Sequence, residues 1–384
     1  MQLVIDRPRR AIAIISAGAI VCAVIAAVAL WDAPPAGASH SCSGVHIKPG
    51  NDLDAIVNRD PVDKATTFCI HAPSSGATYY INNTAHLRSG DKFIGQPGQV
   101  VRRGPASYGV PLVKIRNGGS VPKLIRLSGS NVVLRWLDIA GSAAKYSNGK
   151  ALYSSGHAID AWSANATARL AYLTIHDNPN SAINNMNGKL LHSNLYNNGT
   201  NSAFWGWTAT AVKGVHEYEA AYNFVHDNPA NGLWCDSMCQ DRGAAMPNGF
   251  WVHHNLVVNN GRSGIRFEHS PQGLATGVHH SQPTALIENN QIHANGYKGS
   301  HYAGVEMHDA QNARIRNNVF GSKTIAGVFY RVNVNKRAIA FTDSGKSSRT
   351  DLWNGDAVRN ALGGETIVNC AKPDNVVYCA DNRR

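Results

Sequence analysis

Apolar and polar residues alternate in short runs along most of the chain, and between about Leu124 and Phe329 the runs repeat one phrase. A strand ending in Asn leads into a turn, and a second strand then opens with a small residue. The first strand appears at Ser193 to Asn198, Tyr222 to Asn228, His254 to Asn260 and Asn289 to Asn295, and in part at Asn317 to Phe320. Alternating runs of four to six residues bounded by Gly and Asn predict strands and turns, not helices. Aligning the Asn that precedes the apolar pair gives Asn194, Asn223, Asn255, Asn290 and Asn318, spaced by 29, 32, 35 and 28 residues. Irregular periods of this size predict stacked coils joined by loops of variable length.

The second strand appears at Gly232 to Asp236, Gly264 to Glu268, Gly304 to His308 and Gly327 to Arg331. A period of two places Leu233, Ile265, Val305 and Val328 inside, with Cys235, Phe267, Met307 and Tyr330 beneath them, and turns their neighbours outward. No single coil of such a solenoid buries its own apolar face, so stability comes from stacking. The repeated Asn are assigned a structural role, because Asn tolerates left-handed turns and its amide can bond to the matching amide one coil away.

On these residues the chain resembles right-handed parallel β-helix proteins of the pectate-lyase-like superfamily. The narrower resemblance is to secreted bacterial β-helix repeat proteins with a Gly-Leu-Trp-x-Asp coil followed by a Gly-Ile-x-x-Glu-x-Ser coil, here Gly232 to Asp236 and Gly264 to Ser270. It covers roughly residues 100 to 340 and implies an all-β fold, a single solenoid. Its chemistry stays open, since the superfamily includes lyases, hydrolases, epimerases and binding proteins.

The N-terminus reads as an export signal: Arg7, Arg9 and Arg10 precede an apolar stretch from Ala11 to Leu30, and Ala36-Gly37-Ala38 supplies a small-x-small site. Cleavage after Ala38 is expected, although the apolar run is also long enough to be a retained membrane anchor. Either way the remainder is placed outside the cytoplasm. Six cysteines follow the signal, at 42, 69, 235, 239, 370 and 379. An even set in an exported chain predicts disulfides, nearest-neighbour pairing being the simplest connectivity. A zinc site at Cys235-x-x-x-Cys239 lacks a second ligand pair at metal spacing. The net charge of +11 becomes +10 once three Arg and two Asp leave with residues 1–38. That balance suits acidic polysaccharide or the cell envelope. The patterns of nucleic-acid-binding proteins are absent, and a monomer is expected.

Residues 39–100 are read as an N-terminal cap and first coils, with a short helix at Asp52 to Val57 and strands near Phe68 to Ala72 and Thr78 to Asn82. Residues 101–343 form the parallel β-helix, and 344–384 a C-terminal cap or folded-back tail.

Candidate chemistry falls in one column. With Ala209 as the small residue, Lys213 aligns with Asp236, Glu268, His308 and Arg331, while Trp234, Arg266 and Glu306 lie two residues earlier on the same outer face. Parallel strands about 4.8 Å apart would make this a grid suited to an extended polymer. The expected catalytic residues are Lys213, Asp236, Glu268 and His308, with Trp234, Arg266 and His269 binding substrate. Asp236, Glu268 and Glu306 are hard oxygen ligands for a Ca2+-type cation. The groups would support β-elimination on a uronate polymer: cations neutralise the carboxylate, Lys213 removes the C5 proton, and His308 or His269 protonates the leaving oxygen.

A glycoside hydrolase using Asp236 and Glu268 is the rival enzyme, and a non-catalytic glycan-binding β-helix the third reading. The polygalacturonase Asp-Asp and Gly-His-Gly motifs are missing, as is the Asp-Pro-His run of alginate epimerases. The twin tetrapeptides His176 to Pro179 and His226 to Pro229 read as coil corners. Loops from Ser237 to Asn248 and from His269 to Pro283 are expected to wall the cleft.

Overall fold

The computed structural model describes residues 42–60, 64–161, 167–205, 208–236, 239, 249–268, 285–300, 302–308, 313–342, 355–368, 377–379 and 382–383. The export segment, His269 and, apart from Cys239, both expected cleft loops lie outside these residues.

Three ladders of short parallel strands wind into one solenoid. A representative coil runs from Phe250–His253 through Leu256–Val258 to Ile265–Glu268, and the next begins at Ala285–Glu288. We term the ladders sheets A, B and C in that order. Each strand pairs with its counterpart one coil on, placing Val252 opposite Ile287, Val257 opposite Ile292, and Ile265 opposite Val305. The fold is a parallel β-helix, and residues from Cys42 onward form one compact unit. Sheets A and C merge where Ile183–Leu191 and Thr210–Ala221 run continuously from one ladder into the other.

Alternation fills the interior as the sequence predicts. Leu233, Ile265, Val305 and Ile339 form one inward column of sheet C and Cys235, Phe267, Met307 and Phe341 the next, all buried. The N-terminal end is covered by a helix at Leu53–Asn58, whose N-cap Asp52 accepts a hydrogen bond from the Ala55 amide and whose Leu53 and Val57 join the core. An open sheet edge needs such a cover. Disulfides join Cys42 to Cys69 and Cys235 to Cys239, and Cys379 is also disulfide-bonded.

Two expectations are corrected. The segment Gly327 to Arg331 is not a coil strand: Val328–Tyr330 pairs antiparallel with Lys323–Ile325, and Val328 is exposed rather than inward. The next sheet C strand is Arg337–Thr342, where Ala338-Ile339 supplies the small-aliphatic start. Before residue 101, Val45–Ile47 and Thr67–Ile70 belong to sheet A. At the other end, Gly355–Val358, Thr366–Val368 and Val377–Tyr378 extend sheets A and C, so the expected cap or tail is more helix.

Two internal columns of Asn hold the corners. At the A-to-B corner the backbone N–H and Nδ2 of Asn223 donate to Asn255 Oδ1 at 2.9 Å, and the pattern repeats from Asn255 to Asn290, Asn318, Asn360 and Asn382. Each Nδ2 also reaches a strand carbonyl of the preceding coil, as Asn255 does to Ala220. The residue before each of the first five Asn is left-handed: Tyr222, His254, Asn289, Asn317 and Arg359 have φ between 54° and 59°. A second column at the B-to-C corner runs from Asn178 through Asn198, Asn228, Asn260, Asn295 and Asn333 to the carboxylate of Glu365. A carboxylate suits that last place because the column's donors all point toward it.

Asn194 departs from the expected alignment. Ser193 occupies the ladder position, with its N–H on Asn223 Oδ1, while Asn194 stands opposite Phe224 and meets His226. The frame slips by one because Asn follows Ser here, and the apolar pair alone does not fix the register. The twin His-Asp-Asn-Pro segments are corners as expected, with Asp177 and Asp227 left-handed and Asn178 and Asn228 in the second column.

Replacing Asn255 with Ala leaves two buried donors of Asn223 without an acceptor, and should lower unfolding stability by at least about 2 kcal/mol. Asn194→Ala, outside the ladder, should cost less than about 1 kcal/mol. Urea denaturation of both variants tests the assignment.

Candidate functional site

Sheet C presents an outward column that follows from a small-aliphatic-polar triplet at the start of each strand. The triplets are Ala158-Ile159-Asp160, Ala182-Ile183-Asn184, Ala211-Val212-Lys213, Gly232-Leu233-Trp234, Gly264-Ile265-Arg266 and Gly304-Val305-Glu306. The small residue turns the corner beneath the second Asn column, where a Cβ on Gly264 would lie 2.8 Å from Asn295 Nδ2 and from the Gly304 oxygen. The aliphatic residue enters the core, and the third is forced outward.

Register then fixes the neighbours. Lys213 stands opposite Trp234, Trp234 opposite Arg266, and Arg266 opposite Glu306. Two residues on, Asp236 stands opposite Glu268 and Glu268 opposite His308. Lys213 thus belongs to the column of Trp234, not to that of Asp236, because the small residue of its strand is Ala211 rather than Ala209. The slip costs no contact: Lys213 Nζ reaches diagonally to Asp236 Oδ2 at 2.8 Å. Arg266 pairs with the Glu268 carboxylate and lies 3.9 Å from Glu306 Oε2, which also accepts from Ser263. Arg331 is absent from this face for the reason given above.

The strip is buried although it is outward. Lys213 is 7% exposed, Trp234 4%, Glu268 7% and Glu306 3%. Charges in such a place persist only when paired. Burial works against the charge of Arg266, but Glu306 and Glu268 outweigh it and raise its pKa above the ordinary guanidinium value. The Lys213 ammonium lies 4.2 Å from the Trp234 ring centroid and the Arg266 guanidinium 5.6 Å, so the indole packs between two cations. Trp234 therefore orders the cations, and the expected stacking on a sugar does not describe its place here. His308 is half-buried at the end of the second column, its Nδ1 2.9 Å from Thr342 Oγ1.

The carboxylates expected to hold a cation are engaged with side-chain cations in this structure. Asp236 neutralises Lys213 and the two glutamates neutralise Arg266, and among the described residues no group of three His, Cys, Asp or Glu gathers around one point.

The strip extends further toward the N-terminus than the sequence reading reached. Asp160, fully buried, accepts from Lys123 Nζ at 2.6 Å and from the amides of Asn184 and Asn185 at 3.0 and 3.2 Å. Asp160 stands opposite Asn184, and Ile183 opposite Val212, so this cluster continues into Lys213. The signal that would have found it is the triplet itself, which Ala158 and Ala182 satisfy as well as any Gly does. Next to it His157 is fully buried, its Nε2 2.9 Å from the Tyr153 oxygen. Desolvation drives its pKa down to about 4, against the opposing pull of Asp160.

No family model and no curated protein matches the chain. Among solved structures it is similar to the A-modules of two mannuronan C-5 epimerases from Azotobacter vinelandii. AlgE4 is 13% identical over 86% of this chain and 94% of that one, with a TM-score of 0.43. AlgE6 is 13% identical over 86% and 93%, with a TM-score of 0.44. A similarity to pectate lyase Pel9A has 11% identity, coverage of 86% and 81%, and a TM-score of 0.32. Likeness at this level carries no information on substrate or reaction.

His157 and His293 share a sign: burial lowers each to about 4. Folding therefore favours their neutral forms, and the stability they provide is complete above the unfolded value of about 6.5 and lost as pH falls toward about 4, roughly 3 kcal/mol for each. His176 has the opposite sign. Burial opposes its charge, but Asp138 and Asp177 raise its pKa, so its contribution is complete below about pH 6.5 and lost at higher pH. The pair outweighs the single group. The urea midpoint should fall between about pH 7 and about pH 4.5, and His293→Gln should flatten that fall; a midpoint independent of pH would contradict the assignment.

Proposed function

We propose that the protein acts outside the cytoplasm on an acidic, uronate-containing polysaccharide laid across the outer face of sheet C, and that it cleaves this polymer by β-elimination. The observation that carries the reading is the spacing of Lys213 and Arg266 in one column, two strands apart, each already holding carboxylate oxygens. A uronate carboxylate entering the strip would compete with Glu268 and Glu306 for Arg266. The two disulfides support the location, since such bonds persist in oxidising compartments.

The chemistry follows from the pairs. Arg266 on the substrate carboxylate withdraws charge and acidifies the C5 proton. Lys213, as an ion-paired ammonium, is a donor; it becomes a base once its proton passes to Asp236, a transfer that desolvation by bound substrate favours. The neutral amine takes the C5 proton, the electron pair forms the C4–C5 double bond, and the glycosidic oxygen leaves C4 with a proton from His308. A retaining hydrolase is the second reading, favoured by the direct opposition of Asp236 and Glu268, which suits carboxyl groups about 5 Å apart. We rank it below elimination because both carboxylates already neutralise cations.

The mature chain incubated with uronate polymers should generate the unsaturated uronate chromophore. Reducing ends without that chromophore would indicate hydrolysis, and binding with neither would indicate a glycan-holding protein. Lys213→Ala and Asp236→Asn should each lower turnover at least about a hundredfold while leaving the fold intact by circular dichroism. Full activity in both would remove sheet C from consideration.

A further inference from the structure

Two β-hairpins stand on the outer face of sheet B: Gln99–Arg103 with Ala106–Val110, and Lys323–Ile325 with Val328–Tyr330. Tyr108 and Ala106 from the first and Ile325 and Tyr330 from the second pack on Phe224, Leu256 and Val258 of the sheet. Between them lies a cleft of about 390 Å3. It is on a different face from the strip of Lys213 and Arg266 and shares no residue with it.

The lining has a definite chemistry. Arg103 comes to it from the first hairpin and Arg331 from the residue after the second, and Asp227 is the carboxylate among its lining residues. Arg103 is fixed by the Tyr330 hydroxyl, 3.3 Å from Nη1, and by the Phe224 ring 5.0 Å beneath its guanidinium. His226 forms the floor, with Nδ1 2.6 Å from Asp227 Oδ2 and Nε2 3.0 Å from Asn194 Oδ1, so its ring is locked in place. At the rim Phe329 is 64% exposed, beside Val328 at 41%. A large aromatic side chain held out from a hairpin strand, in a cleft lined by two guanidinium groups, is an exposed apolar feature with a polar rim, the kind that marks a ligand site.

We infer that this cleft is a second saccharide site that takes one carboxylate-bearing sugar residue. The pyranose ring lies on Phe329, the carboxylate is held by Arg331 and Arg103 in fork geometry, and Asp227 accepts from sugar hydroxyls. Two cations against one carboxylate leave the cleft basic, which excludes a cationic ligand and disfavours a neutral one. The choice of a uronate over another anion rests on the proposed polysaccharide function. A site there would tether the polymer away from the reacting strip and raise its effective concentration at that strip.

Calorimetric titration of a galacturonate trisaccharide into the mature chain tests this, using Phe329→Ala/Arg331→Gln and Lys213→Ala/Arg266→Ala as paired variants with thermal unfolding as the folding control. Binding by the hairpin variant should be at least about tenfold weaker at one class of site, with turnover of short soluble oligosaccharides unchanged. The sheet C variant should lose turnover and keep the hairpin-dependent site. Unchanged binding in the hairpin variant overturns the second site and leaves the sheet C reading standing. Hairpin-dependent binding in a wild-type chain that turns over no uronate polymer keeps this site and overturns that reading. Equal hairpin-dependent binding of maltotriose or inorganic phosphate overturns the assignment to a uronate.

Discussion

The Asn columns are the constraint on which the rest depends. A coil of three short strands has no local means of fixing its register against the next coil, and a slip of one residue would turn its core outward. An Asn that gives its backbone N–H and its side-chain amide to one oxygen of the following coil sets that register at a single position, once per corner. Because Asn223, Asn255, Asn290 and Asn318 are wholly buried, an unmade bond there has no water to replace it. The preceding left-handed residue completes the corner and projects its own side chain outward. On the A-to-B corner those side chains form a stack of rings, Trp136, Tyr172, His192, Tyr222 and His254, with centroids 4.5 to 5.1 Å apart.

Register carried inward orders the core; carried outward it orders chemistry. Asp160, Asn184, Lys213, Trp234, Arg266 and Glu306 come from strands scattered over much of the gene, yet each is the side chain its triplet turns away from the core. Their burial is what distinguishes this face from ordinary solvated solenoid surface. A pair such as Arg316 with Glu288 on sheet A, with side chains 41% and 13% exposed, needs no functional explanation. Several charged groups at or below 7% exposure in one strip do, because desolvation is costly and apolar side chains at the same positions would be the more stable choice.

The fold was legible because alternation and the Asn phrase are local. Leu233, Ile265 and Val305 are inside where period two put them, and the cap helix begins at its Asp. The errors came where an anchor was ambiguous. Asn194 resembles a ladder residue, but Ser193 holds the place, and Gly327-Val328 imitates a coil start inside a hairpin. Ala209 and Ala211 are equally small, and only pairing with Leu233 shows that Val212 is the inward residue. The candidate site was legible as a set of residues and not as a set of partners. Spacing brings Lys213 near Asp236, whereas the packing of Trp234 between Lys213 and Arg266 depends on rotamers that no sequence pattern encodes. Nor does composition show that Glu268 and Glu306 share one arginine and so leave little for a metal.

The most direct test of the central claim is a crystal structure of the Asp236→Asn chain with a bound uronate oligosaccharide. We expect the sugar chain to run along the helix axis over sheet C, with one carboxylate on Arg266 and its C5 facing Lys213. An oligosaccharide seated on sheet A, or one that meets Arg266 through hydroxyls alone, would contradict it.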